Sequence, residues 1–209
     1  MALITVSNNA LSAITALPAS IPTGALTLIK SITASASASI SFVDGTDSVV
    51  LDDTYSSYVF KFINCHPSTD SVGFGFNGSI DNGSNYNVTK TTTSFDSAHK
   101  EDDTDTGFGY GASRDLAQST ADQMFMGGGS NLGADNDQSI SGTLTLFNPS
   151  SSTFVKHFVG TSNGTEYRDW SWSHHVAGYF NTTSAVNAVI FRMSSGNIDD
   201  GIIKLYGVS

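Results

Sequence analysis

Glu101, Asp102, Asp103 and Asp105 crowd one stretch of the chain, and Asp135 and Asp137 flank Asn136 farther on. Carboxylates at such spacing are the equipment a hard cation such as calcium requires. An EF-hand loop also needs a bidentate Glu at its twelfth position, and the twelfth residue counted from Asp103 is Arg114. The clusters therefore read as hydrated loop carboxylates, and neither a metal nor any other cofactor is expected. Paired carboxylates also serve glycoside hydrolysis, but only when one acid is held in apolar surroundings across a cleft from an ionised partner. Spacing alone sets up no such pair.

The five histidines are His66, His99, His157, His174 and His175. None forms the i, i+4 helical pair of a zincin, and His174 and His175 on a strand point to opposite faces. Neither the Gly-x-Ser-x-Gly of a serine hydrolase nor the Gly-x-x-x-x-Gly-Lys of a phosphate loop occurs. Gly107-Phe108-Gly109-Tyr110-Gly111 lacks dinucleotide-binding spacing and reads as a flexible aromatic loop. Cys65 stands alone, so it forms no internal disulfide and reads as a buried thiol. No enzymatic chemistry is assembled by these residues. Tyr167, Trp170 and Trp172 are a different case, because Trp170, Trp172 and His174 share one face of a strand. Such a row is either a core stripe or a platform for stacking glycans.

The elements that would position these groups are strands. Residues 35–42 alternate Ser with Ala, Ala, Ile and Phe, the period-two signature of a half-buried strand. Residues 58–64 are β-branched and aromatic, 72–76 alternate again, and Asp81-Asn82-Gly83-Ser84 is a turn signal ahead of 86–89, consistent with a hairpin. Further runs lie at 140–147, 154–159, 170–180, 185–193 and 202–206. About nine short strands separated by Gly, Asn, Asp and Ser predict an all-β fold, an antiparallel two-sheet β-sandwich of jelly-roll type.

Two segments interrupt that rhythm. Residues 94–138 read as a long acidic insertion holding nine of the nineteen acidic residues, with a helical turn expected around 115–126. Loops of that length are commonly functional. Residues 1–30 read as an arm, apolar at Leu3, Ile4, Val6, Leu11, Ile14 and Leu17 and interrupted by Pro18 and Pro22. An arm that short has no core of its own, and docking on a neighbouring subunit would bury those six side chains. Residues 31–209 form the sandwich domain in this division.

Net charge is −10, from nine basic and nineteen acidic residues, with no basic cluster, which argues against nucleic acid as partner. No eighteen-residue apolar run occurs, so no membrane partner is expected. The first residues lack the basic start and apolar stretch of a signal peptide, so general export is not expected.

Several phrases carry a resemblance: 35–42 (Ser-Ala-Ser-Ala-Ser-Ile-Ser-Phe), 60–67 (Phe-Lys-Phe-Ile-Asn-Cys-His-Pro), 142–149 (Gly-Thr-Leu-Thr-Leu-Phe-Asn-Pro), 177–185 and 195–207. Over residues 31–207 the chain resembles small virion structural proteins of tailed, mainly marine, bacteriophages. The resemblance implies a non-enzymatic component of the virion surface, made in the bacterial host cytoplasm. A capsid decoration or cement subunit is the first expectation, and a tail appendage or receptor-binding protein that contacts host glycans is the alternative. The expected partners are other virion proteins, major capsid or tail, and further copies of the chain in a homo-oligomer, a trimer favoured.

Overall fold

The computed structural model describes residues 26–208. Twelve strands lie among them and no helix: β1 (Thr27–Thr33), β2 (Ile40–Val43), β3 (Ser57–Pro67), β4 (Phe74–Ser79), β5 (Lys90–Lys100), β6 (Thr106–Tyr110), β7 (Gln123–Met126), β8 (Ile140–Phe147), β9 (Lys156–Glu166), β10 (Trp170–Phe180), β11 (Ala188–Met193) and β12 (Ile198–Val208). They form two antiparallel sheets packed as a sandwich. The larger has eight strands in the order β1-β12-β3-β8-β9-β10-β5-β6, and the smaller has four in the order β2-β11-β4-β7.

Alternation builds both layers. In β3, Tyr58, Phe60 and Phe62 point inward while Val59, Lys61 and Ile63 point out, and β9 alternates in the same way along its length. The inward aromatics meet in one core. Phe191 of β11 lies 5.4 Å from Phe60, 6.2 Å from Phe74 and 6.3 Å from both Phe62 and Phe76, measured between ring centroids. Glycine makes room where rings need it: a Cβ on Gly160 would fall 2.5 Å from Phe125, and one on Gly142 would fall 2.6 Å from Phe62. Each buried aromatic of this kind removes about 150–250 Å² from water, so the ring cluster dominates the hydrophobic stabilisation.

Six expectations are corrected. Residues 35–39 are not strand: Ala36 takes a φ of 48°, Ser37 makes a lone bridge to Ile198, and only 40–43 pairs, with β11. This stretch carries the chain from the large sheet to the small one, and such a crossing breaks the ladder. The hairpin at 81–84 does not form, although Asn82 and Gly83 make the expected turn at φ 56° and 79°. Both edges of β4 are already taken, by β11 and β7, so 86–89 finds no strand to pair with. The helical turn near 115–126 is absent, and 123–126 is β7. The acidic insertion is not a loop throughout, since it holds most of β5 and all of β6 and β7, and Gly107-Phe108-Gly109-Tyr110 is strand, not flexible loop. Residues 27–30, assigned above to the arm, belong to β1 and pair with β12. Leu3, Ile4, Val6, Leu11, Ile14 and Leu17 lie outside the described residues.

Candidate functional site

Trp170 and Trp172 do form a row with His174. Their rings stand 6.0 Å apart, and Trp172 stacks on His174 at 5.7 Å with an interplanar angle of 5°. The row faces into the sandwich, where His174 is fully buried and Trp172 packs against the core. Of the two roles open to it, the core stripe describes its position. Tyr167 lies apart in the β9–β10 turn, its ring covered by the Arg168 guanidinium at 4.9 Å.

The same inward side holds a polar cluster that reading by motif missed. Asp96 of β5, His174 of β10 and Ser162 of β9 stand directly opposite one another across three neighbouring strands. These are the residue types of an acid–base–nucleophile set, but the geometry differs. His174 Nδ1 is 3.9 Å from Asp96 Oδ2, beyond hydrogen-bond reach, and Ser162 Oγ has no partner. Asp96 instead pairs with the buried Arg114 guanidinium, whose Nη1 also donates to the Gly127 carbonyl and to Ser130 Oγ at 3.0 Å each. Burial above all, with Arg114 and His175 nearby, holds His174 down at about 3, so it is neutral under ordinary conditions. The arrangement ties the 111–130 segment to the sheet. The signal that could have found it is the period-two pattern of β10, which puts His174 on the side of Trp170, Trp172, Val176 and Phe180.

Two further lysines also point inward. Lys90 Nζ donates to the Ala121 carbonyl at 2.6 Å, and Lys156 Nζ donates to the carbonyls of Phe154 and Thr182 at 2.8 and 3.1 Å. Burial pulls Lys90 down to about 8, against the pull of nearby Asp122, and lowers Lys156 as well. Cys65 is buried as expected, and burial pushes its thiol up to about 12. That suppresses the thiolate and with it any nucleophilic role.

The outward side of these strands has the opposite character. β5 presents Thr91, Thr93, Phe95, Ser97 and His99, β10 presents Ser171, Ser173, His175, Ala177 and Tyr179, and β9 presents His157, Val159, Thr161, Asn163 and Thr165. β8 adds Ser141, Thr143, Thr145 and Phe147, and the edge strand β6 adds Thr106, Phe108 and Tyr110. No Asp, Glu, Lys or Arg side chain lies among these outward positions. Phe108 is 81% exposed, and Phe95 stacks on His175 at 4.7 Å with an interplanar angle of 4°. Hydroxyls and amides bond to one another across the strands, as Thr143 to Thr161 at 3.3 Å and Asn163 to Ser171 at 3.0 Å.

A polar hollow of about 540 Å³ opens elsewhere, between Asn64, His66, Asp137, Asp199 and Asp200. Among the described residues no group of three or more His, Cys, Asp or Glu is arranged to hold a metal ion. The first acidic run is engaged locally, Asp102 accepting from Lys100 Nζ at 2.6 Å and Asp103 meeting His99 Nε2 at 3.0 Å. Among the described residues no helix is long and apolar enough to cross a membrane. No protein-family model, curated protein or solved structure matches the chain.

Proposed function

We propose that this chain is a non-enzymatic structural protein of a bacteriophage virion, a capsid decoration or cement subunit displayed on the particle surface as a homo-oligomer. The observation that carries the reading is the uncharged outer face of five neighbouring strands, not covered by any other strand among the described residues, in a chain whose net charge is −10. Two strongly acidic subunits repel each other unless the surfaces that meet are free of carboxylates. A face of hydroxyls and aromatic rings can be buried against a neighbour without stranding a charge.

The strand order supports the jelly-roll form of the sandwich. The chain crosses between the sheets at eight of its eleven strand-to-strand steps; β5-β6, β8-β9 and β9-β10 are the exceptions that widen the large sheet. The phrases behind the resemblance to phage virion proteins fall on β3, β8, the end of β10, and β12, and the first, 35–42, on the crossing segment and β2.

Copy number in purified particles tests the proposal. Decoration requires tens to hundreds of copies on quantitative gels, and a count of a few to about a dozen and a half removes it in favour of a tail position. The second reading, a tail appendage that contacts host glycans, is favoured by the aromatic rings exposed on the outer face, Phe95, Phe108 and Tyr110.

A further inference from the structure

We propose that β6, the exposed edge of the large sheet, pairs with the β6 of a second copy of this chain about a twofold axis at Phe108, joining two large sheets into one. This inference deepens the homo-oligomer reading and rests on it, naming the contact through which the copies meet.

β6 closes the eight-strand order, and among the described residues no strand pairs with its far side. The register against β5 shows which backbone groups that side offers. Gly111 N–H donates to the Ser94 carbonyl at 2.8 Å and Lys100 N–H donates to the Asp105 carbonyl at 3.0 Å, so residues 105, 107, 109 and 111 are the ones bonded to β5. Thr106, Phe108 and Tyr110 therefore direct their N–H and C=O groups away from the sheet. Of these groups, Thr106 N–H turns back to Asp105 Oδ1 at 2.8 Å, and the Tyr110 carbonyl accepts from Ala112 N–H at 3.1 Å. What stays open is Phe108 N–H and C=O, Tyr110 N–H and the Thr106 carbonyl.

That set is its own complement. In antiparallel pairing centred on Phe108, each Phe108 exchanges both bonds with its twin, and each Tyr110 N–H meets the Thr106 carbonyl of the other copy. The two engaged groups, Thr106 N–H and the Tyr110 carbonyl, also fall opposite each other, so neither leaves a partner unpaired. An arbitrary strand has no such match.

The edge is also unguarded. β1, at the opposite edge, carries Lys30 and a register shift, and the small sheet's edges β2 and β7 are four residues each, β7 with a shift of its own. β6 has no charge, proline or shift. Phe108, 81% exposed between two glycines, meets its twin in this register, and Phe95 at 6.3 Å continues the row of rings on each side. Asp105 falls opposite Gly111, so the two copies of Asp105 stand roughly 20 Å apart along the strands, beyond the screening length of about 8 Å at physiological salt.

Sedimentation velocity and non-reducing gels on the full chain test this. Two short strands make a small contact, so the chain passes from monomer to dimer at about 0.1 mM or above. Phe108→Pro removes an N–H that β5 does not use, and Phe108→Lys keeps the backbone but adds a charge; each leaves the monomer folded and weakens association about tenfold or more. Thr143→Lys, on the outer face of β8, leaves association unchanged. Under mild oxidation Phe108→Cys crosslinks to its twin, because directly opposed Cα atoms stand about 5.5 Å apart, within disulfide reach. Thr106→Cys alone does not crosslink, whereas Thr106→Cys combined with Tyr110→Cys does, and Cys65 is buried out of reach. The inference is overturned if the chain stays monomeric throughout, if its mass is that of a trimer, or if Thr106→Cys crosslinks as readily as Phe108→Cys. It is equally overturned if Thr143→Lys abolishes association while both Phe108 variants leave it intact, which would put the contact on the outer face. Particle copy number is counted separately, so the edge contact and the virion position can fail independently.

Discussion

The inward faces of β5, β9 and β10 hold Lys90, Asp96, Lys156, Glu166 and His174, whereas the outward faces of the same strands hold Ser, Thr, Asn, His and aromatic residues with no formal charge. An antiparallel sheet with one wet face ordinarily shows the reverse, apolar within and charged without. The reversal follows from unequal widths. Eight strands oppose four, so the large sheet extends past the small one at its β5-β6 end, while β9 and β10 still meet the small sheet, Phe76 of β4 lying 5.2 Å from Phe158 and 6.4 Å from Phe180. Irregular segments cover that overhang, and irregular backbone arrives with carbonyls that no ladder satisfies. Lys90 and Lys156 donate to such carbonyls from the sheet, and Arg114 does so from within the covering segment. Charge on the inside is the cost of covering a sheet with loops, while the outside stays clear for contact.

Removing one partner of the buried pair should break the inner face most severely. Asp96→Ala leaves the Arg114 guanidinium buried without its carboxylate, and unfolding free energy should fall by about 3–5 kcal/mol in urea titrations. A loss below about 1 kcal/mol would show that the 111–130 segment is held by something else.

His174 sharpens the comparison through pH. Its folded value of about 3 lies below the ordinary 6.5, so the unfolded chain binds the extra proton first and stability declines as pH falls from 6.5 toward 3. His174→Gln should flatten that decline relative to the unmodified chain, by on the order of 3 kcal/mol at pH 4. Parallel acid-denaturation curves for the two proteins would refute the assignment.

Lys90 acts with the same sign at the other end of the scale. Burial holds it at about 8 against an ordinary 10.5, so between those values the folded state carries fewer protons than the unfolded one and stability rises with pH. The stability of the unmodified chain relative to Lys90→Met should climb by on the order of 1–3 kcal/mol across that window. A constant difference would mean that the ammonium is solvated.

The outer face should give the smallest effects. Ser97→Ala and Ser173→Ala remove exposed or half-exposed hydroxyls from β5 and β10, and each should change stability by no more than about 0.5 kcal/mol in thermal unfolding. A cost near that of Asp96→Ala would erase the distinction between the two faces.

Alternation in 58–64, 140–147 and 170–180 made strands of β3, β8 and β10 legible from residue order, and the resulting two-sheet sandwich is what the chain adopts. The same signal misled at 35–39, because Ser-Ala alternation also suits a segment that crosses between sheets. It was missed at 106–110, where glycine replaces every second side chain and hides the period.

Residue order by itself determined which side chains share a face: Trp170 with Trp172 and His174, Phe95 with Thr93 and Ser97. A period of two assigns residues to one side or the other without saying which side is buried, because that depends on what lies across from it. Tertiary structure decided this by widening one sheet beyond the other and laying the 111–130 segment beneath the overhang. The row of tryptophans was thereby turned inward, and the threonines, the Phe95–His175 stack and Tyr179 were left facing solvent.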